Sequence, residues 1–268
     1  MNFNRNVLLN YISMAPLALA FERILECRIY EKLHLESPIL DLGCGEGLFA
    51  KILLIEKIDT GIDPNSKELA RAKELDAYHE LIQCFGDSIP KPDCSFNTVF
   101  SNSVLEHINE IKPVFKEVYR VLKPGGSFYF TVPSNYFEQY TIMNTILMYL
   151  GLSEAAKRFR MYYNRFWKHY HCYSLEMWQL MAEQSGFKVI RAFSYDSRKI
   201  CLLNDFLTFF SVPAFFMKKL VNRWIIMPPL RRIIFSIIQP LAIALLKGGE
   251  RDNGGGLVFI AAKKPEAL

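Results

Sequence analysis

Apolar residues recur at helical spacing between positions 16 and 33: Leu17, Phe21, Ile24, Leu25 and Ile29 share one stripe, with Glu22, Arg23, Glu26 and Lys32 between them. This spacing predicts an amphipathic leading helix. The period then shortens. Residues 38–42 are a short apolar run with one acid, Asp41, near its end, followed by alternate glycines at Gly43, Gly45 and Gly47, after which a helical period runs from Leu48 to about Ile55. Such a sequence reads as a buried strand, a tight turn and a helix. The alternation repeats with a strand over 57–63, a helix over 66–80 and a strand over 81–85. A fourth strand covers 96–102, a helix covers 114–121, and Lys123-Pro124-Gly125-Gly126 ends that helix before a fifth strand over 127–133. Ser174 is a plausible N-cap for a helix over 175–185. A sixth strand opens near 186–190, and a seventh covers 254–262. Strands alternating with helices predict an α/β fold, a seven-stranded and mostly parallel sheet with helices on both faces.

Two stretches fall outside this alternation. Residues 134–168 are rich in aromatic residues and methionine and follow the fifth strand, which suits a lid or acceptor site; a helical hairpin packed on itself is the alternative. Residues 198–250 carry the chain's excess of apolar residues. Lys218, Lys219, Asn222 and Arg223 fall on one helical face there, opposite Leu220, Val221, Trp224 and Ile225. No apolar run reaches the roughly 20 residues a membrane-crossing helix needs. Basic amphipathic helices bearing tryptophan lie in a bilayer interface instead, and Lys218, Lys219, Arg223, Arg231, Arg232 and Lys247 would attract anionic lipids. The expected partner is therefore a membrane surface met through 200–247; the alternative is a homodimer interface or a helical subdomain.

Length and composition narrow the classes. With 268 residues the chain is read as a single domain spanning 1–268. Its net charge of +5 falls short of a nucleic-acid-binding signature. The six cysteines contain no C-x-x-C pair, which argues for reduced thiols and against zinc or disulfides. The first ten residues have no long apolar core, so a cytoplasmic protein is expected, peripheral to the inner face of a membrane if the apolar insertion meets one.

The glycine turn carries the chemistry. A dinucleotide fold wants G-x-G-x-x-G with a pyrophosphate at the helix N-terminus, whereas Gly43, Gly45 and Gly47 run G-x-G-x-G behind the acid Asp41. A fixed negative charge repels a pyrophosphate and attracts an ammonium such as that of S-adenosylmethionine. The stretch Asp41-Leu42-Gly43-Cys44-Gly45-Glu46-Gly47 resembles the first motif of the class I S-adenosylmethionine-dependent methyltransferases. Val121-Leu122-Lys123-Pro124-Gly125-Gly126 followed by an apolar strand resembles a second element of that family.

The resemblance implies a Rossmann-like fold, S-adenosylmethionine as cofactor, and methyl transfer to a small-molecule or lipid-linked acceptor. Asp63, 22 residues after Asp41, matches an acid that binds the ribose, although Asp63-Pro64-Asn65-Ser66 equally suits a helix N-cap. Asp87 and Ser88 match the adenine position, and Asn102 at the end of the fourth strand faces the methionine end. His107 either handles an acceptor proton or holds its loop by hydrogen bonds. In the stretch His169-Tyr170-His171, a strand would point both imidazoles to one face, but no third ligand is evident nearby. No metal is expected, and His171 is a candidate for acceptor contact or proton transfer. The remaining alternatives are a soluble enzyme acting on a sugar or natural product and a catalytically silent cofactor-binding protein.

Overall fold

The strand that the glycine turn follows is buried along its whole length and lies between two parallel neighbours. In the computed structural model, which describes residues 1–4, 6–221, 223–225, 227–233, 235–236 and 254–266, seven strands form one sheet. They are β1 Ile39–Leu42, β2 Ile58–Asp63, β3 Tyr78–Gln83, β4 Phe96–Asn102, β5 Leu122–Pro133, β6 Lys188–Tyr195 and β7 Leu257–Lys263. Their order is β3-β2-β1-β4-β5-β7-β6, with β7 antiparallel to both neighbours and every other pair parallel. The order reverses between β1 and β4. Helical connections leave in opposite directions there, which opens a crevice at the carboxyl ends of both strands.

A core fills each face of the sheet. On one side lie α1 Val7–Met14, α2 Leu17–Tyr30, α3 Leu48–Leu53 and α4 Ser66–Leu75. Tyr30 there meets Phe100 and Phe259 edge-on, with ring centroids 5.6 and 6.2 Å apart. On the other side lie α5 Ile111–Val121 and α8 Leu175–Gln184. Ile111, Val114, Phe115, Val118 and Val121 all face inward from α5, because residues three or four apart share a helix face. Phe115 lies 5.7 and 5.6 Å from Phe128 and Phe130. Ser174 caps α8 by accepting the Met177 N–H at 3.4 Å, and the buried Trp178 donates its indole N–H to the Pro133 carbonyl at 3.2 Å. Helices α6 Ile142–Tyr149 and α7 Ser153–Trp167 follow β5, and α9 Arg198–Val221 follows β6.

The amphipathic helix read at 16–33 is α2, and a helix that the pattern did not single out, α1, precedes it and buries Val7, Leu8, Tyr11 and Ile12. Three expectations from the sequence need correction. Helix α4 stops at Leu75 instead of running to 80: Asp76 turns the chain with φ +53°, and β3 starts at the buried Tyr78. Strand β5 starts at Leu122 and takes in the Lys-Pro-Gly-Gly stretch as a register slip, Phe96 pairing with Leu122 but Thr98 with Ser127. Finally, residues 198–221 form a single 24-residue helix that is long and apolar enough to cross a membrane by length and composition, with 17% of its most apolar stretch buried. The sequence pattern hid this length because Asp205 and Pro213 interrupt the run. Lys247 lies outside the described residues, and Lys218 turns inward: its Nζ reaches Glu46 at 2.6 Å and Glu68 at 3.1 Å.

Candidate active site

The turn after β1 hangs from β2. Gly43 and Cys44 both donate their N–H to the Ile62 carbonyl at 2.9 Å. Gly43 has φ +79°, and a Cβ on it would stand 2.4 Å from Val104 Cγ1, so this position admits only glycine for packing as well as for backbone reasons. Gly45 differs: its φ is +51°, and a Cβ there would meet no atom within 4 Å. The turn thus presents a bare backbone to open space at Gly45. Its N–H donates to Asp63 Oδ2 at 3.0 Å, while Asp63 Oδ1 accepts the Asn65 N–H at 2.8 Å. Asn65, rather than Asp63, caps α4, accepting from Lys67 N–H at 3.0 Å. Asp63 is therefore oriented by two main-chain donors.

Asp41 lies beneath the turn, 3% exposed, and accepts the Tyr78 hydroxyl at 2.6 Å. Tyr78 reaches it through a slot between Gly47 and Gly61, where added Cβ atoms would come within 2.9 and 2.8 Å of the ring. Burial pushes the Asp41 carboxyl up to about 7, against the opposing pull of the Tyr78 bond. Asp87 and Ser88 are exposed in the loop after β3.

At the carboxyl end of β4 the polar side chains converge on α2. Glu26 is fully buried and accepts from Arg23 at 2.8 and 2.7 Å, Asn102 Nδ2 at 2.7 Å, Ser103 Oγ at 3.0 Å and Tyr195 Oη at 3.2 Å. Thr131 Oγ1 donates to Asn102 Oδ1 at 2.9 Å. Asn102 is thereby committed on both sides of its amide, and the leading helix is tied to the site by a carboxylate that periodicity could not single out.

Beside this network lies a cavity of about 370 Å³. Its walls include Arg23, Ser103, Glu106 and His107, with Tyr163 and Trp167 from α7 and Asn204 and Phe215 from α9. Asp41, Gly43, Gly45 and Asp63 are not among them. Trp224 joins the two places: it lines the cavity and donates its indole N–H to Glu46 of the glycine turn at 2.5 Å. With Lys218 on the same carboxylate, the segment after β6 closes over the turn.

Of the two histidines proposed for chemistry, His107 lines the cavity and His171 does not. The His171 ring is held by Tyr173 Oη at 2.9 Å and by the carbonyl of Ile108 at 2.9 Å, so it ties two loops together. Residues 169–172 are not a strand. His169 consequently points elsewhere, into the cavity wall beside His107, with ring centroids 5.1 Å apart. Sequence reasoning missed His169 as a site residue, and its only signal was the His-x-His pattern itself.

Asp196 and Asn204 are polar residues in the same wall. Asp196 is 2% exposed and neither of its oxygens, nor either amide atom of Asn204, has a hydrogen-bond partner. Burial, reinforced by the nearby charge of Glu22 and opposed by the Cys201 thiol, pushes the Asp196 carboxyl up to about 8. A carboxyl raised in the folded state keeps its proton where the unfolded chain has lost it. Its contribution to stability is therefore present at low pH and falls from about pH 4 to about pH 8. Asp196→Asn removes this titration, and asparagine tolerates the φ of +63° found here. Thermal melts should show the variant more stable than the parent near pH 9 by several degrees and close to it near pH 5.

The chain is similar in sequence and in fold to known methyltransferases. A family model described as "Methyltransferase domain" matches residues 40–130. A malonyl-[acyl-carrier protein] O-methyltransferase of Enterobacter lignolyticus is 30% identical over 96 residues, covering 35% of this chain and 38% of that one. The sterol 24-C-methyltransferase erg6 of Aspergillus fumigatus is 33% identical over 98 residues, 34% of this chain and 26% of that one. The chain thus spans about a third of the length of these curated relatives. A crystal structure of an S-adenosylmethionine-dependent methyltransferase from Thermotoga maritima covers 92% of this chain and 91% of its own with a TM-score of 0.58 at 17% identity, which shows a common fold. Glycine turn, strand order and family match together assign the α/β domain built on residues 40–130 to the class I S-adenosylmethionine-dependent methyltransferases.

Proposed function

We propose that this protein moves a methyl group from S-adenosylmethionine to an apolar, lipid-like acceptor at a membrane surface. The observation that carries the reading is the aromatic cavity and the helix that borders it. Helix α9 contributes Asn204, Ser211 and Phe215 to the cavity and leaves Phe206, Phe209, Phe210 and Phe216 between 50% and 71% exposed. An exposed apolar face of this kind needs a partner. Lys219 and Arg232 are exposed nearby in sequence and suit anionic headgroups.

S-adenosylmethionine, when bound, supplies a methyl carbon already activated by its sulfonium, so the chain's task is alignment and exclusion of water. Gly45 offers the cradle, Asp63 two oxygens for ribose hydroxyls, and Asp87 with Ser88 the adenine side. Asn102 braces the wall through Glu26. His107 is held neutral because burial lowers its pKa, which suits it to orient an acceptor hydroxyl or amine or to take its proton. His171 supports the loop that carries His107. Asp196 and Asn204, with donor and acceptor atoms free, would orient the polar group of an otherwise apolar acceptor.

Flotation with vesicles containing phosphatidylglycerol tests the surface. The protein should float with them, and the double variant Phe209→Ser, Phe210→Ser should lose at least about tenfold in binding. Absence of vesicle binding together with a dimer in sedimentation would sink the membrane reading. Labelled methyl transfer should enter a lipid extract of the source cells and not an aqueous one.

A further inference from the structure

Two residues of the cavity wall each keep a buried atom unsatisfied. Glu106 is 3% exposed and its Oε2 has no hydrogen-bond partner; Nδ1 of His169 is buried and equally without one. Buried polar atoms left unpaired are rare enough to demand a reason. His107 stands beside both. Its Nδ1 lies 3.2 Å from the Lys168 carbonyl, which can only accept, so Nδ1 carries the proton and Nε2 the lone pair. That Nε2 is 3.8 Å from Glu106 Oε1. One ligand atom from each of Glu106, His107 and His169 lies within 4.8 Å of the others.

The arrangement is held by the main chain. Tyr170 donates its N–H to the Glu106 carbonyl at 2.8 Å, and His169 donates its own to the Asn164 carbonyl at 2.8 Å. The first bond joins two loops that are distant in sequence, and the second ties His169 to the end of α7. We propose that Glu106, His107 and His169 bind one divalent ion of the zinc class, with its remaining coordination positions open to the cavity. Two imidazoles and one carboxylate are a ligand set such ions accept. Donors around a tetrahedral ion at about 2.1 Å stand roughly 3.4 Å apart, so small side-chain rotations close the set. The bond from His107 Nδ1–H to a carbonyl is the supporting contact that metal-bound histidines usually make.

This reverses the expectation from the sequence, which found no third ligand beside His169 and His171. Linear spacing paired the wrong histidines. Binding of the ion does not depend on the methyltransferase reading. Its consequence does: His107 and Glu106 would then act on the acceptor through the ion, which would hold an oxygen or nitrogen of the cavity's occupant.

The test uses the full chain, stripped with a chelator and titrated with Co²⁺. One ion per chain should bind, with visible absorption bands that Zn²⁺ bleaches. His169→Ala and the shape-preserving Glu106→Gln should each weaken Co²⁺ binding by at least about 30-fold, since even loss of a supporting contact costs roughly 10–100-fold, while His79→Ala, an exposed histidine elsewhere, should not. If His169→Ala fails to fold, Glu106→Gln carries the test. Absence of the bands, or unchanged binding in the folded variants, overturns the proposal. Calorimetry with S-adenosylmethionine on the same samples separates this outcome from failure of the methyltransferase reading, since the cofactor should bind whether or not the ion does.

Discussion

Replacing Gly45 and Gly43 by alanine should give opposite phenotypes, although both glycines belong to one turn and both have positive φ. Each substitution carries a backbone cost of about 1–2 kcal/mol for a left-handed residue with a Cβ. At Gly45 nothing is added to that cost, because no atom lies within 4 Å of the new methyl group. The methyl instead stands in the space where a ligand would approach the backbone. Gly45→Ala should fold and should lose at least about tenfold in S-adenosylmethionine affinity, which 1.4 kcal/mol of lost contact suffices to produce. At Gly43 the methyl meets Val104 Cγ1 at 2.4 Å, and Val104 belongs to the segment that leads into Glu106 and His107. Overpacking adds about 1–3 kcal/mol, so Gly43→Ala should lose about 2–5 kcal/mol of stability. Val104→Ala in the same chain should recover part of it. Chemical denaturation and calorimetry on the three variants check this. A Gly45→Ala protein that binds the cofactor like the parent would remove the cradle from the site.

The contrast between these two glycines also shows where sequence reading stops. The turn, its acid and its position after a buried strand are legible because they depend on residues next to one another. The reasons for individual residues are not. Gly47 and Gly61 make room for Tyr78, whose hydroxyl satisfies Asp41, and periodicity alone assigned Tyr78 to the end of a helix. A side chain that enters a slot made by the glycine turn and a neighbouring strand leaves no mark on its own neighbourhood. Lys218 is a similar case. Its helical face reads as solvated and basic, yet Glu46 and Glu68, 172 and 150 residues away, draw it inward. His169 and His171 point apart because residues 169–172 are not a strand, a property that their spacing does not reveal. The apolar pattern places β4 at its observed bounds because all of its residues but Asn97 are buried, and misplaces β3 because its exposed edge residues carry little apolar signal.

Removal of the Glu26 carboxylate should be the most damaging single change in the leading helix. Glu26→Ala would leave the Arg23 guanidinium, 17% exposed, without its hydrogen-bonded carboxylate and with Glu22 at 3.6 Å as the remaining salt-bridge partner. It would also release Asn102, Ser103 and Tyr195 from a common acceptor, so the ends of β4 and β6 would lose their link to α2. Breaking one side of a buried ion pair costs about 3–5 kcal/mol, mostly because the survivor stays buried and uncompensated. A second substitution tests that cause directly. In Glu26→Ala, Arg23→Met the stranded charge is gone and an apolar side chain fills part of its volume, so much of the loss should return, with a coupling energy of about 1–3 kcal/mol. Urea denaturation of the parent, both single variants and the double variant closes the cycle. If the double variant is as unstable as the sum of the singles, the pair is not coupled, and Glu26 stabilises the fold only through the hydroxyl and amide groups that converge on it.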